Sequence, residues 1–556
     1  MYPTQRLRAL LPLLLVLAVS AQTPHVVMGV VVSQERLASE AGAQVLREGG
    51  SAVDAAVATA FALAVVHPAA GNLGGGGFLL SKPAGGLPSF MDFREAAPAA
   101  AHPRMWLKEG AYDEERHHHS LASVGVPGTV AGLHGAWKRE GRLAWARLLR
   151  PAIRLAREGF VLSENQAVSL SEQLPEFRKH GPTLAQFSRE GAPLRAGDRL
   201  VQRALARTLI RVSNDWTDFY RGETARMLLR DMKANGGLIR AADLRAYRPV
   251  RRVVLRGSYR GVEVLAAPPP SSGGQVLIET LNILEGYDLK AAGAGSPLTV
   301  HLGAEALRRA FADRAQYLGD PAFNSSIPLD RILSKAYAKE LRAKIRLDRA
   351  SVSASDPFTW PGDRPDTTHI SVTDRQGDAV SLTYTLEDGF GLKRIVPGAG
   401  FLLNNELGDF NAVPGLTDAT GLIGTLPNLT GPGKRPLSSM CPVILVKEGA
   451  VLLVSGSPGG RTIPSTVLNT VLNVVDFGMD ARAAVDAPRF HHQWLPDRIQ
   501  VEAGLPLAMK EALEAMGHTL KEVKQQGCAQ VILIRNGQAE GAADTRRWAD
   551  SGAVAE

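Results

Sequence analysis

Thr367-Thr368-His369-Ile370-Ser371-Val372-Thr373 is followed by Asp374-Arg375-Gln376-Gly377-Asp378 and then by Ala379-Val380-Ser381-Leu382-Thr383-Tyr384-Thr385. Both outer stretches alternate polar and apolar side chains at the period of two that a strand requires. The middle five residues carry the aspartates and glycine of a tight turn. The pattern predicts a β-hairpin with Thr367 at its entrance.

Upstream, Ala38-Ser39-Glu40-Ala41 opens a helical pattern that runs through Val45 and Leu46 to Gly49-Gly50, a glycine stop. Ser51 can cap a second helix, with Asp54 in its first turn, and Ala-rich packing continues to Val66. The run Gly71-Asn72-Leu73-Gly74-Gly75-Gly76-Gly77 lets the backbone pass very close to a neighbour before a strand resumes at Phe78. It lacks the Lys-Ser/Thr of a phosphate loop, so close backbone packing is the preferred reading. Residues 137–347 read mostly as helix, with a short Pro/Ser/Gly loop at 266–274 ahead of a helix at 275–284. Downstream, strands are expected at 442–446, 451–455 and 529–534, and a helix at 466–477. Strands in both halves with helices around them predict one layered α/β body without repeats.

The 556 residues are 45% hydrophobic and 21% charged, an ordinary globular composition. A formal charge of +8 raises the question of nucleic acid. The basic residues are scattered and not interleaved with aromatics, which argues against it. Arg6 and Arg8 precede an apolar stretch at 9–19, and Val19-Ser20-Ala21 offers small residues to a signal peptidase. Residues 1–21 therefore read as a signal peptide, its apolar stretch of about 11 residues, broken by Pro12, being too short to span a bilayer as a helix, and the mature chain as periplasmic or secreted with no membrane span. An uncleaved anchor is the other reading. Only Cys441 and Cys528 occur; both read as buried small residues, a single bridge being the alternative.

A threonine hydroxyl needs a base within hydrogen-bond reach to act as a nucleophile. An N-terminal threonine carries one, because an α-amine with a pKa of about 7.7 to 8.0 is partly neutral at working pH. Inside a chain, such an amine requires cleavage of the preceding peptide bond, which the same hydroxyl can begin by attacking the carbonyl before it. This chemistry makes Thr367 possible but does not choose it from the other threonines.

Resemblance chooses it. Asp366-Thr367-Thr368-His369-Ile370-Ser371-Val372 with the return strand is similar to the processing site and hairpin of γ-glutamyltransferases, which are N-terminal-nucleophile hydrolases. Leu403-Asn404-Asn405-Glu406 with Asp409-Phe410, Lys434-Arg435-Pro436-Leu437-Ser438-Ser439-Met440 and Gly456-Ser457-Pro458-Gly459-Gly460 follow in order. Asn72 to the strand residue Phe78, Asp92-Phe93-Arg94-Glu95, Val126-Pro127-Gly128-Thr129, Ala487-Pro488-Arg489-Phe490 and Gly541-Ala542-Ala543-Asp544 also resemble that family, so the likeness spans nearly the whole mature chain.

The resemblance implies a four-layer αββα sandwich built jointly by two pieces of one precursor, a large one at 22–366 and a small one at 367–556, which remain associated as a heterodimer. It implies cleavage between Asp366 and Thr367, with Thr367 as nucleophile, Thr385 holding it, and the N–H groups of Gly459 and Gly460 as oxyanion hole. Arg94, with Ser438 and Ser439, would receive the carboxylate of a γ-glutamyl donor such as glutathione, and Glu406 and Asp409 its ammonium. Water, an amino acid or a peptide would accept the acyl group, and no cofactor or metal is called for.

Two departures stand out. Glu387 occupies the place of an asparagine that contacts the donor's amino-acid end, and Thr420 in the lid-length segment 416–434 that of a tyrosine. They keep a glutaryl-type β-lactam acylase and a poly-γ-glutamate depolymerase as alternatives on the same scaffold. A non-catalytic exported binding protein is the alternative of another class. His117-His118-His119, flanked by Glu114, Glu115 and Arg116, reads as a solvated loop and not a metal site. His491-His492 reads as packing.

Overall fold

A computed structural model describes residues 29–353, 367–415 and 424–556. The expected signal peptide, Asp366 and Thr420 lie outside the described residues. The hairpin forms as its alternation predicts, with Thr367 opposite Thr385, Ser371 opposite Ser381 and Thr373 opposite Ala379. Its turn is set by Asp374, whose Oδ1 accepts from the N–H groups of Gln376 and Asp378 (both 3.0 Å), and by Gly377 at φ +83°.

The hairpin is the centre of a seven-stranded antiparallel sheet. The order is Val250–Arg252, Ser89–Asp92, Gly76–Lys82, Ala379–Thr385, Thr367–Thr373, Val30–Ser33 and Gly552–Ala555. A six-stranded antiparallel sheet packs against it, in the order Leu255–Tyr259, Val262–Ala266, Val443–Lys447, Ala450–Gly456, Gln530–Arg535 and Gln538–Ala543. Helices cover both outer faces. Helices Arg36–Arg47 and Ala52–Val66 bury Val57 and Phe61 against Ile370, Val372, Val380 and Leu382. Helices Gly273–Leu284 and Ile463–Val475 bury Leu277 and Leu468 in one cluster with Leu265, Ile444 and Val454. This is the expected αββα sandwich.

Helix Ala52–Val66 has no exposed residue, which accounts for its apolar character all round. Ser51 and Asp54 form a capping box at its start, and Asp54 Oδ2 also accepts from the N–H groups of Arg142 (2.8 Å) and Leu143 (3.0 Å). Cys441 and Cys528 are free and buried.

Period two sends Ile370, Val372, Val380 and Leu382 to the helices and Thr367, His369, Ser371, Ser381 and Thr383 to the seam between the sheets. That seam is polar under the hairpin, and His369, Ser371, Ser381 and Thr383 are paired there. His369 Nδ1 lies 2.7 Å from Thr383 Oγ1 and Nε2 lies 3.1 Å from Ser371 Oγ. Ser371 and Ser381 donate to the carbonyls of Gln530 and Ser455 in the second sheet. Burial lowers the His369 pKa to about 3, so the ring is neutral.

The seam is also tight. A Cβ on Gly456 would lie 2.2 Å from the His369 ring. Gly456→Ala is expected to destabilise the protein by about 1 to 3 kcal/mol, read as a lower unfolding temperature. Gly181→Ala, where a Cβ meets nothing within 4 Å, is expected to stay within about 0.5 kcal/mol of the parent.

Candidate active site

Thr367 and Thr385 end the hairpin side by side, both buried, with their hydroxyls 3.4 Å apart. Thr385 Oγ1 also accepts from the Glu387 N–H at 2.9 Å. Both line a cleft of ≈ 1080 Å³, open to solvent, together with Arg94, Glu406, Asp409, Ser438, Ser439 and Gly460. The glycine run packs against the end of the return strand. A Cβ on Gly75 would fall 2.0 Å from the Thr385 carbonyl, and one on Gly77 2.3 Å from that of Thr383. The neighbour predicted for this run is thus the return strand itself. Asn72 clamps the contact, donating to the Thr385 carbonyl at 2.8 Å.

Arg94 follows strand Ser89–Asp92 and is fully buried. Its N–H donates to Asp92 (2.9 Å), its carbonyl accepts from Tyr247 (2.9 Å), and its Nε donates to the Pro436 carbonyl (3.2 Å). Its two terminal nitrogens contact Glu406 and Asp409, and Glu95 lies 3.7 Å away. Burial alone would depress the guanidinium's pKa; Glu406, Asp409 and Glu95 outweigh it and raise the value. Burial drives the carboxyls the other way, holding Glu406 well above the usual range and Glu95 at about 7, both against the pull of Arg94. Oε2 of Glu406 and both oxygens of Glu95 are buried with no hydrogen-bond partner among the described residues. Three carboxyl groups therefore crowd the Arg94 guanidinium.

Glu406 is aimed by Asn404, whose amide donates to the carbonyls of Gly74 (2.7 Å) and Gly125 (2.9 Å) and accepts from Gly125 and Glu406 N–H. Gly459 and Gly460, at φ +137° and +54°, turn the chain from strand Ala450–Gly456 into helix Ile463–Val475. Neither of their N–H groups is engaged among the described residues. Gly460 lines the cleft. Ser438 accepts from Met440 N–H at 3.1 Å, and Ser439 from Arg314 at 3.3 Å.

Residues 38–554 match the family model for gamma-glutamyltranspeptidase. The chain belongs to the gamma-glutamyltranspeptidase family. It is 44% identical over 527 residues to a glutathione hydrolase proenzyme of Escherichia coli (strain K12), covering 93% of this chain and 90% of that one. A glutathione hydrolase proenzyme of Pseudomonas sp. (strain A14) is 46% identical over 511 residues, covering 91% and 89%. Among solved structures, a cephalosporin acylase from Bacillus halodurans superposes with a TM-score of 0.85 at 27% identity, covering 100% of this chain and 98% of that one. Membership makes the chain a self-processing N-terminal-nucleophile enzyme, a γ-glutamyltransferase/hydrolase.

Within this gamma-glutamyltranspeptidase site the histidine run needs correction. It is not a solvated loop: Glu114–His118 is a short helix capped by Asp113. His117 is buried, its ring 3.0 Å from Tyr112 OH and 3.2 Å from the Leu407 carbonyl, and only His119 is exposed. His118 and His119 line the cleft, as do Tyr112, Glu114, Arg314, Asp388, Asn411 and Arg461. None of these was singled out as a site residue from the sequence. The His491 and His492 rings are buried, as expected of packing residues.

The raised pKa of Glu95 yields a stability test. The folded chain keeps this proton where the unfolded chain, with an ordinary value of 4.5, has lost it. Its contribution to stability therefore falls as pH rises from about 4.5 to about 7 and is constant above. Glu95→Gln removes that titration. Its unfolding temperature relative to the parent is expected to climb between those pH values and then level off.

Proposed function

We propose that this chain is exported by residues 1–21, cuts itself between Asp366 and Thr367, and then transfers γ-glutamyl groups from glutathione and related amides to water, amino acids or peptides. The pieces 22–366 and 367–556 form the heterodimer. Among the described residues no helix is long and apolar enough to cross a membrane. The observation that carries the reading is the Thr367 and Thr385 pair opening into a cleft in which the buried Arg94 guanidinium is faced by Glu406 and Asp409.

In this reading the Thr367 hydroxyl attacks the donor's γ-carbonyl carbon and its proton passes to the Thr367 α-amine. The developing oxyanion lies against the N–H groups of Gly459 and Gly460, each worth roughly 3 to 4 kcal/mol. The carbon–nitrogen bond then breaks, the amine delivers the proton to the leaving nitrogen, and a γ-glutamyl ester of Thr367 remains. Water or an acceptor amine attacks the ester and restores the hydroxyl. Thr385 orients the nucleophile. Arg94, Ser438 and Ser439 bind the donor's α-carboxylate, Glu406 and Asp409 its ammonium, and Glu387 borders the same end.

The acylase likeness in three dimensions favours one second reading, a glutaryl-type side-chain acylase. The excess of carboxyls weighs against it, because a glutaryl group brings a carboxylate and no ammonium. Leaving those buried acids uncompensated costs several kcal/mol.

Expression without residues 1–21 is expected to give two fragments, the smaller beginning Thr367-Thr368-His369, and Thr367→Ala one uncut chain. The processed protein is expected to cleave γ-glutamyl amides at least about 100-fold faster, in kcat/KM, than glutaryl amides. A preference for glutaryl amides would transfer the reading to the acylase; a folded, uncut parent would remove the N-terminal amine from the mechanism.

A further inference from the structure

Arg314 lines the same cleft as Arg94, but where Arg94 bonds carboxyls Arg314 bonds serine hydroxyls. It lies in the last turn of helix Pro297–Tyr317 and is 6% exposed. Its Nε donates to Ser272 Oγ at 2.8 Å, and a terminal nitrogen donates to Ser439 Oγ at 3.3 Å. Ser272 Oγ in turn donates to the Ser438 carbonyl at 2.7 Å. One buried guanidinium thus reaches both serines of the 438–439 pair, one directly and one through Ser272.

The peptide of Ser438 is held from the same side. Its N–H donates to the Pro270 carbonyl at 2.8 Å, and its carbonyl also accepts from Ser272 N–H at 2.8 Å. Ser271 donates to the Met440 carbonyl. Gly273 permits the close approach, since a Cβ there would lie 2.5 Å from the Met440 carbonyl oxygen and 2.7 Å from Cys441 Cβ. Residues 270–273 and Arg314 precede Thr367, and Ser438 and Ser439 follow it. The proposed large piece therefore sets the pose of a segment that belongs to the small one.

Hydrogen-bond direction carries the argument from here. A guanidinium has donors and no acceptor. Ser439 Oγ therefore receives from Arg314, and its own proton is turned elsewhere. Ser438 Oγ receives from Met440 N–H at 3.1 Å, with the same result. Neither hydroxyl donates to another group among the described residues, and both serines line the cleft. Two adjacent O–H donors suit a carboxylate, which only accepts, better than an ammonium, which only donates. The nearby cation polarises the Ser439 hydroxyl and strengthens it as a donor.

We propose that Arg314 is a positioning residue of the donor site: it fixes the Ser439 hydroxyl, and through Ser272 the Ser438 peptide, so that both serines give their protons to the donor's α-carboxylate. The donor's head group then has one orientation, with its carboxylate toward the serines and its ammonium toward Glu406 and Asp409. The inference rests on the γ-glutamyl reading of the site.

The test compares two anilide donors on the self-cleaved protein: γ-glutamyl, and 4-aminobutyryl, which keeps the ammonium and lacks the α-carboxylate. In Arg314→Met, KM for the γ-glutamyl anilide is expected to rise about tenfold with kcat within about threefold of the parent, and the ratio of the two donors' kcat/KM values to fall about tenfold. A merely loosened fold would lower both donors alike and leave that ratio in place. Arg314→Lys, whose ammonium can still donate to a hydroxyl, is expected to recover part of the loss. Because Arg314 acts through the serines, Arg314→Met combined with Ser439→Ala is expected to lose at least about threefold less than the product of the two single losses. Formation of the two fragments reports folding. Should Arg314→Met stay uncut, Ser272→Ala is read in its place, and its ratio is expected to fall about threefold. An unchanged ratio in the variant read, or single losses that multiply in full, overturns the inference while leaving γ-glutamyl turnover in place. A self-cleaved parent with no γ-glutamyl turnover overturns the functional reading, and this inference with it.

Discussion

The pairing of Thr367 with Thr385 is the constraint on which the rest depends. It fixes the register of the central hairpin, and through period two it decides which side chains enter the seam between the sheets and which meet the helices. Strand Thr367–Thr373 pairs with Val30–Ser33, and Ala379–Thr385 pairs with Gly76–Lys82. Both neighbours precede the proposed cut. The hairpin is therefore flanked on both sides by strands that precede it in the chain, and the second sheet takes its first two strands from before Thr367 and its other four from after it. The proposed cleavage before Thr367 would free an amine at a strand end without undoing a sheet.

Around that strand end, charge sets the selectivity that we propose. Arg94 is bonded directly to both Glu406 and Asp409, and Glu95 lies 3.7 Å from it. A buried cation outnumbered by carboxyls favours ligands that bring an ammonium with their carboxylate. The same scaffold in an acylase need not share that demand, which is how close three-dimensional similarity coexists with a different preferred acyl group. Fold similarity speaks to the hairpin and the layers; the substrate is read by the side chains between them.

Much of this was legible in the sequence because it is local. The hairpin and its turn follow from alternation and Asp/Gly placement, the second helix from Ser51 and Asp54, and the glycine run from its need for close approach. The misses have physical reasons. The strand expected at 442–446 is Val443–Lys447, because Pro442 has no N–H to give the ladder. The helix expected at 466–477 is Ile463–Val475, because Pro464 is welcome in a first helical turn. His118, Glu95 and Arg314 gave no local signal. Their surroundings are assembled from segments up to hundreds of residues apart, and three consecutive histidines look solvated until Leu407 and Tyr112 are brought to His117.

The most direct test of the account is to find where the acyl group goes. The processed protein, mixed with a γ-glutamyl anilide and quenched in acid within one turnover, is digested and its peptides weighed. The account predicts one added γ-glutamyl group, base-labile as an ester is, on the peptide that begins at Thr367. A label on any other residue, or release of the anilide at the full rate with no label on Thr367 at any time, would contradict it.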